Sequence, residues 1–186
     1  MLTQAKLKEA FKPYFDEIAR CVENKCYFAL LHLAVILPDI CGALESSKGD
    51  SDGNSYMDWC KRYLCDPLLT PKEWWEIRCK LLHQGRTLME KGRYRELVFI
   101  QPGMKDSNAH GRILDEKLYL DVGEMVNKVR NALYQWFQDL ESNAASTYPS
   151  NVESNLSALV CERPPMTINE NGILFIVSTS TATFRP

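Results

Sequence analysis

The chain of 186 residues is 45% hydrophobic and 25% charged with a formal net charge of -2. Those proportions suit one globular domain and exclude wholesale disorder or a fibrous repeat. The near-neutral balance also excludes a protein that coats nucleic acid through its overall field, so any such binding must use a local patch.

From residue 3 to about 21, Leu7, Phe11, Tyr14, Phe15, Ile18, Ala19 and Val22 recur at steps of three and four, the period of an amphipathic helix. The same N-terminal stretch mixes Lys, Glu and apolar residues instead of a basic segment followed by a long apolar one. It does not read as a signal peptide, and a cytoplasmic location is expected. Residues 26–44 are apolar nearly all round, which predicts a central helix kinked at Pro38. The longest apolar run, 27–37, contains His32 and is too short to span a bilayer, so no membrane partner is expected.

Residues 46–55, with Gly49, Asp50, Asp52, Gly53 and Asn54, read as an exposed loop, and 56–64 as a short helix burying Trp59, Tyr63 and Leu64. The acidic run lacks the downstream Glu of a helix-loop-helix calcium site, and no metal is assigned. The next helix is bounded by local chemistry. Thr70 is an N-cap, Pro71 the first helical residue and Glu73 the partner in a capping box, while Gly85 sits where a left-handed stop belongs. The helix therefore spans 71–84.

Residues 95–101 and 113–120 read as two strands of a small hairpin around a polar loop with Pro102, Gly103, Asn108 and Gly111. Asp121 and Glu124 open a helix to about Leu140. Beyond Glu141 the composition shifts to Ser, Asn, Ala and Pro, which reads as a linker through 155. Residues 172–177 offer either one or two strands or a tail that folds only against a partner. The expected fold is thus mainly α: an antiparallel helical bundle with a small β-hairpin over 1–141, then a linker and C-terminal tail over 142–186 with a β segment as one option. The seven cysteines, Cys21, Cys26, Cys41, Cys60, Cys65, Cys79 and Cys161, contain no Cys-x-x-Cys pair and read as reduced, buried thiols.

Only the 71–84 helix combines good caps with converging reactive groups. His83 suits general acid/base work, and Arg78 carries a permanent cation whose planar fork matches phosphate oxygens. Residues five apart differ by about 140° in azimuth on an ideal helix. The pair therefore predicts either a helix that loosens at His83 or, preferably, a composite site across a dimer axis. Arg86, Lys91, Arg93 and Arg95 follow, offset by Glu90 and Glu96, a patch for a polyanion or else a solvated loop. Lys80, Gln84 and Arg86 are the candidate RNA contacts. Asp39, Glu76 and Cys79 are candidates to orient or adjoin the pair. Trp74 and Trp75 read as core or dimer contacts before base-stacking platforms.

At these residues the chain resembles the HEPN superfamily, small helical domains marked by an Arg, four to six residues and a His near a helix end. Arg78-Cys79-Lys80-Leu81-Leu82-His83 matches the short form. Leu37-Pro38-Asp39-Ile40-Cys41-Gly42-Ala43-Leu44, with Leu82-His83-Gln84-Gly85 downstream, is similar to a bacterial branch of that superfamily. The resemblance covers roughly 10–140. It implies a metal-independent, cofactor-free endoribonuclease, homodimeric, of toxin-antitoxin, phage-defence or RNA-processing systems, with an antitoxin or other protein as a further partner. In it His83 would activate the ribose 2′-hydroxyl or protonate the leaving oxygen, and Arg78 would steady the phosphate. Many members carry Asn, Asp or His where this chain has Cys79, and some are non-catalytic, so an RNA- or protein-binding module is the alternative.

Overall fold

In the computed structural model, which describes residues 2–89, 92–102, 109–142, 147–159, 166–168 and 174–176, the first amphipathic stretch forms two helices instead of one. These are α1 (Gln4–Ala10) and α2 (Lys12–Glu23). Pro13 causes the break: it is tolerated in the first turn of α2, but within a continuous helix its ring would meet the carbonyl four residues back. Phe11, at the junction, is fully buried against the rings of Trp136 and Phe137.

α3 (Tyr27–Glu45) occupies the centre, packed against α2, α4 (Gly53–Trp59), α5 (Pro71–Gln84), α6 (Val122–Ser142) and α7 (Thr147–Asn155). Its all-round apolar character follows from having neighbours on most sides. By length and hydropathy α3 could cross a membrane, yet half of it is buried inside the protein, and its acids Asp39 and Glu45 are ion-paired with Arg78 and Arg62. Pro38 sits within it and forgoes the hydrogen bond it would make to the carbonyl of Ala34.

The Asp-rich stretch is only partly loop. Asp52 caps α4 by accepting from the N–H groups of Asn54 (3.0 Å) and Ser55 (2.8 Å), so the helix starts three residues before the expected position. A π-helical turn (Cys60–Leu64) continues it. Trp59 and Leu64 are buried there and Tyr63 half-buried.

α5 begins and ends where the caps place it. Thr70 and Glu73 form a reciprocal capping box, and Gly85 is left-handed at φ 59°. Glu73 does more than cap. Its buried carboxylate accepts from the backbone N–H (2.8 Å) and hydroxyl (2.9 Å) of Thr70 and from Nε (3.1 Å) and Nη2 (2.8 Å) of Arg93, tying α5 to the segment before the sheet. Burial works to raise its pKa, but the hydrogen bonds from Arg93 and Thr70 outweigh it and hold the group at about 2 instead of 4.5. A depressed carboxylate pKa contributes stability above the unfolded value that is lost as pH falls through the folded one. The thermal midpoint of the wild type should therefore fall between pH 4.5 and about 2 more steeply than that of Glu73→Gln; parallel acid profiles would remove this role.

The three-stranded sheet runs β1 (Glu96–Ile100), β3 (Lys117–Asp121), β2 (Ile113–Leu114). A hairpin is present, but it lies within the second predicted run: β2 and β3 pair antiparallel around Asp115 and Glu116, both at positive φ, as a two-residue turn of this hand requires. β1 instead joins β3 in parallel, Glu96 opposite Lys117, with their side chains ion-paired at 2.7 Å. Of the polar-loop residues, Gly103 and Asn108 lie outside the described residues. Asp121 accepts from the N–H of Glu124 (3.0 Å) and opens α6, whose apolar stripe from Met125 to Leu140 is buried.

The expected linker is a correction. α7 occupies it, with Pro149 and Val152 buried. The Asn151 amide donates to the carbonyl of Glu45 (2.8 Å), and that of Asn155 donates to Leu44 (3.1 Å) and Ser46 (2.8 Å). These amides satisfy carbonyls that the C-terminus of α3 leaves without intrahelical partners, so the packed helical unit extends past residue 141. Farther on, β4 (Met166–Ile168) and β5 (Leu174–Ile176) pair antiparallel, giving the C-terminal β segment. Gly172 and Val177 lie outside the described residues.

Candidate functional site

The capped α5 projects Arg78 towards α3. There Asp39 Oδ2 accepts from Nε of Arg78 at 3.0 Å and also from Nη2. The guanidinium lies over the Trp75 ring, 5.0 Å from its centroid, and its remaining arm, Nη1, is 3.2 Å from Nε2 of His83. Both members of the Arg78–Asp39 pair are largely covered, with side chains 18% and 14% exposed, whereas His83 is open to solvent. Burial works against the charge on Arg78, but its hydrogen bond and ion pair with Asp39 prevail and raise its pKa, so the group is a fixed cation.

The geometry sets the histidine tautomer. A guanidinium only donates, so Nε2 of His83 must accept and the proton of the neutral ring must sit on Nδ1. Nε2 is thus a lone pair beside a positive charge, reachable from solvent. This is a geometry that can accept a proton from a hydroxyl while the cation receives a phosphate oxygen.

Arg78 and His83 meet within one chain, and the helix does not loosen to allow it. α5 continues through Gln84, and its end is closed by Gly85 N–H to the carbonyl of Leu81 and Arg86 N–H to that of Lys80, each at 3.3 Å. The argument from backbone azimuth fails because it ignores side-chain length and tilt. Helical side chains lean towards the N-terminus, so His83 reaches back while the long Arg78 side chain swings across. The reason for expecting a composite site is thereby removed.

Among the other candidates, Asp39 is the carboxylate that pairs with Arg78. Glu76 pairs with Lys80 at 3.8 Å. Lys80 is itself buried, its side chain 8% exposed, which corrects its assignment as an RNA contact. Gln84 and Arg86 are exposed at the end of α5, and Cys79 is half-buried beside Arg78. Of the downstream cations, Arg93 is engaged with Glu73 while Arg95 is exposed; Lys91 and Glu90 lie outside the described residues. Trp74 is a core residue whose Nε1 donates to Asp66 (3.2 Å). Trp75, by contrast, belongs to the site as the platform under Arg78. An aromatic three residues before an arginine on a helix is the local signal that could have found it.

Cys21, Cys41 and Cys60 are buried as expected, and burial pushes the Cys60 thiol well up. Cys26 and Cys65 are exposed, contrary to expectation: they stand at the ends of helical segments, where no apolar face covers them. Cys161 lies outside the described residues. Among the described residues, no three His, Cys, Asp or Glu side chains converge in a way that could hold a metal ion. No protein-family model, curated protein or solved structure matches this chain.

Proposed function

We propose that this protein is an endoribonuclease of the HEPN type that cleaves RNA without a metal or cofactor, acting in the cytoplasm in a toxin-antitoxin or phage-defence setting. The observation that carries the reading is the 3.2 Å contact between Arg78 Nη1 and an Nε2 of His83 that must be unprotonated to accept it. When a phosphodiester enters, Nη1 turns from His83 to a non-bridging oxygen, and Nε2 takes the proton of the ribose 2′-hydroxyl. The 2′-oxygen bonds to phosphorus as the bond to the 5′-oxygen breaks, and that oxygen takes a proton from water. The products are a 2′,3′-cyclic phosphate and a 5′-hydroxyl. Gln84 and Arg86, exposed beside His83, extend the contact to neighbouring phosphates.

The test is cleavage of end-labelled total and transfer RNA in excess EDTA. Wild type should cut; His83→Ala and Arg78→Ala should each lose at least about 100-fold in rate, the scale of general acid/base and oxyanion contributions. Turnover per chain that stays constant on dilution through any dimer dissociation supports a single-chain site, and falling turnover a homodimeric one. Inert wild type, or equal cutting by the variants, removes the catalytic assignment.

One observation favours a second reading. Arg78 already spends its fork on Asp39 and its face on Trp75, as a cation that only ties α5 to α3 would. The protein would then be a binding module for RNA or a protein partner, with the same exposed surface and no reaction.

A further inference from the structure

We propose that the apolar groove beside the Arg78–His83 pair is a docking site for the unstacked bases of single-stranded RNA whose scissile phosphate lies at that pair; this rests on the ribonuclease reading above. The groove has a volume of about 450 Å³ and is walled by Cys21, Phe28, His32, Leu33, Ile36 and Leu82, from α2, α3 and α5. That size lies within the range of sites that hold small organic groups.

Continuity with the phosphate site identifies the occupant. Phe28, His32, Ile36 and Asp39 follow one another along α3 at steps of four, four and three, so they share one stripe roughly 16 Å long, at one end of which Asp39 holds Arg78. On α5, Leu82 stands one turn beyond Arg78 and immediately before His83, and it walls the same groove. A strand whose phosphate reaches Arg78 and His83 therefore has this groove as the adjoining surface for its bases.

The groove's chemistry suits bases. Phe28 is 70% exposed, a large aromatic side chain on the surface of α3. Its ring lies 4.3 Å from that of His32, making a tilted aromatic pair on which a π-face can stack. His32 Nδ1 is 2.7 Å from the carbonyl of Phe28, which can only accept. That nitrogen is therefore the donor, and in the neutral ring Nε2 is an acceptor for a base N–H. Among the described residues that wall the groove, the one carboxylate is that of Glu17, and it is ion-paired with Arg20 at 3.0 Å, which offsets its charge.

The test uses His83→Ala protein, so that the probe is not cut, and a fluorescein-labelled short single-stranded oligoribonucleotide read by anisotropy. A set of the same oligonucleotide carries one abasic ribose at successive positions. An abasic ribose at one or two positions should weaken binding about tenfold, the order that a single base–aromatic stack supplies. Adding Phe28→Ala should abolish that sensitivity, and Phe28→Trp should restore it. An abasic penalty that is the same with and without Phe28→Ala overturns the proposal. So does sedimentation showing that Phe28→Ala turns a dimer into monomers, which would make this face an interface between copies. If wild type cleaves RNA in EDTA but Phe28 has no effect on the abasic penalty, the groove assignment fails and the ribonuclease reading stands. If nothing is cleaved but the Phe28-dependent penalty persists, the groove stands without the chemistry.

Discussion

Glu45→Ala is expected to lower the unfolding free energy by about 3 to 5 kcal/mol, the range for removing one partner of a buried ion pair. Glu45 closes the last turn of α3 with its side chain 6% exposed. Oε1 accepts from Nη1 of Arg62 (3.1 Å) and from Nε1 of the buried Trp136 (2.8 Å), while Oε2 takes the other arm of Arg62. A guanidinium stays protonated at any ordinary pH, so the charge of Arg62 persists when its partner goes. Arg62 also lies against the rings of Tyr63 (4.9 Å) and Tyr148 (5.0 Å), the second from α7. Alanine would leave a half-covered guanidinium with Asp58 as its remaining carboxylate and the indole N–H of Trp136 without an acceptor. Glu45→Gln keeps an oxygen for Trp136 and loses only the charge, so it should cost less. Urea denaturation separates the two: midpoints should fall in the order wild type, Gln, Ala with a constant slope. A Glu45→Ala midpoint equal to wild type would show that the network contributes nothing net.

What could be read from the sequence was what the chain writes locally. The ends of α5 follow from Thr70, Pro71, Glu73 and Gly85, and the start of α6 from Asp121 and Glu124, because each cap bonds within four residues of itself. What escaped depends on distant partners. Asn151 and Asn155 have loop-forming composition, and only their contacts with the end of α3 make them structural. The parallel pairing of β1 with β3 is a choice between distant strands that alternation of apolar residues does not encode. Lys80 is a candidate RNA contact by residue type, yet a helix gripped on more than one side buries it beside Glu76. Within the site, Arg78 and His83 were legible by residue type and Asp39 as a candidate. Their convergence was not, because it is set by side-chain reach and not by backbone azimuth.

Asp39→Asn is expected to cut turnover by about 100-fold, the cost of displacing a reacting group by about an ångström, while leaving the protein folded. Asp39 touches no substrate atom in the proposed reaction; it is a positioning residue. By accepting from Nε and Nη2 of Arg78, its carboxylate fixes two edges of the fork and leaves Nη1 as the arm that faces His83. Asparagine preserves the shape and one oxygen acceptor but not the charge, so the fork can rotate on the Trp75 face and Nη1 loses its aim. The fall should appear mainly in kcat, since the phosphate contact it spoils is worth most in the transition state. A merely structural role would instead lower activity in proportion to the folded fraction. The decisive readout is non-additivity: in an Arg78→Ala background, Asp39→Asn should cost almost nothing further, because residues that act as one unit lose their function once. If the two losses multiply, Asp39 acts through something other than Arg78, and the Asp39–Arg78–His83 relay is not how this site is built.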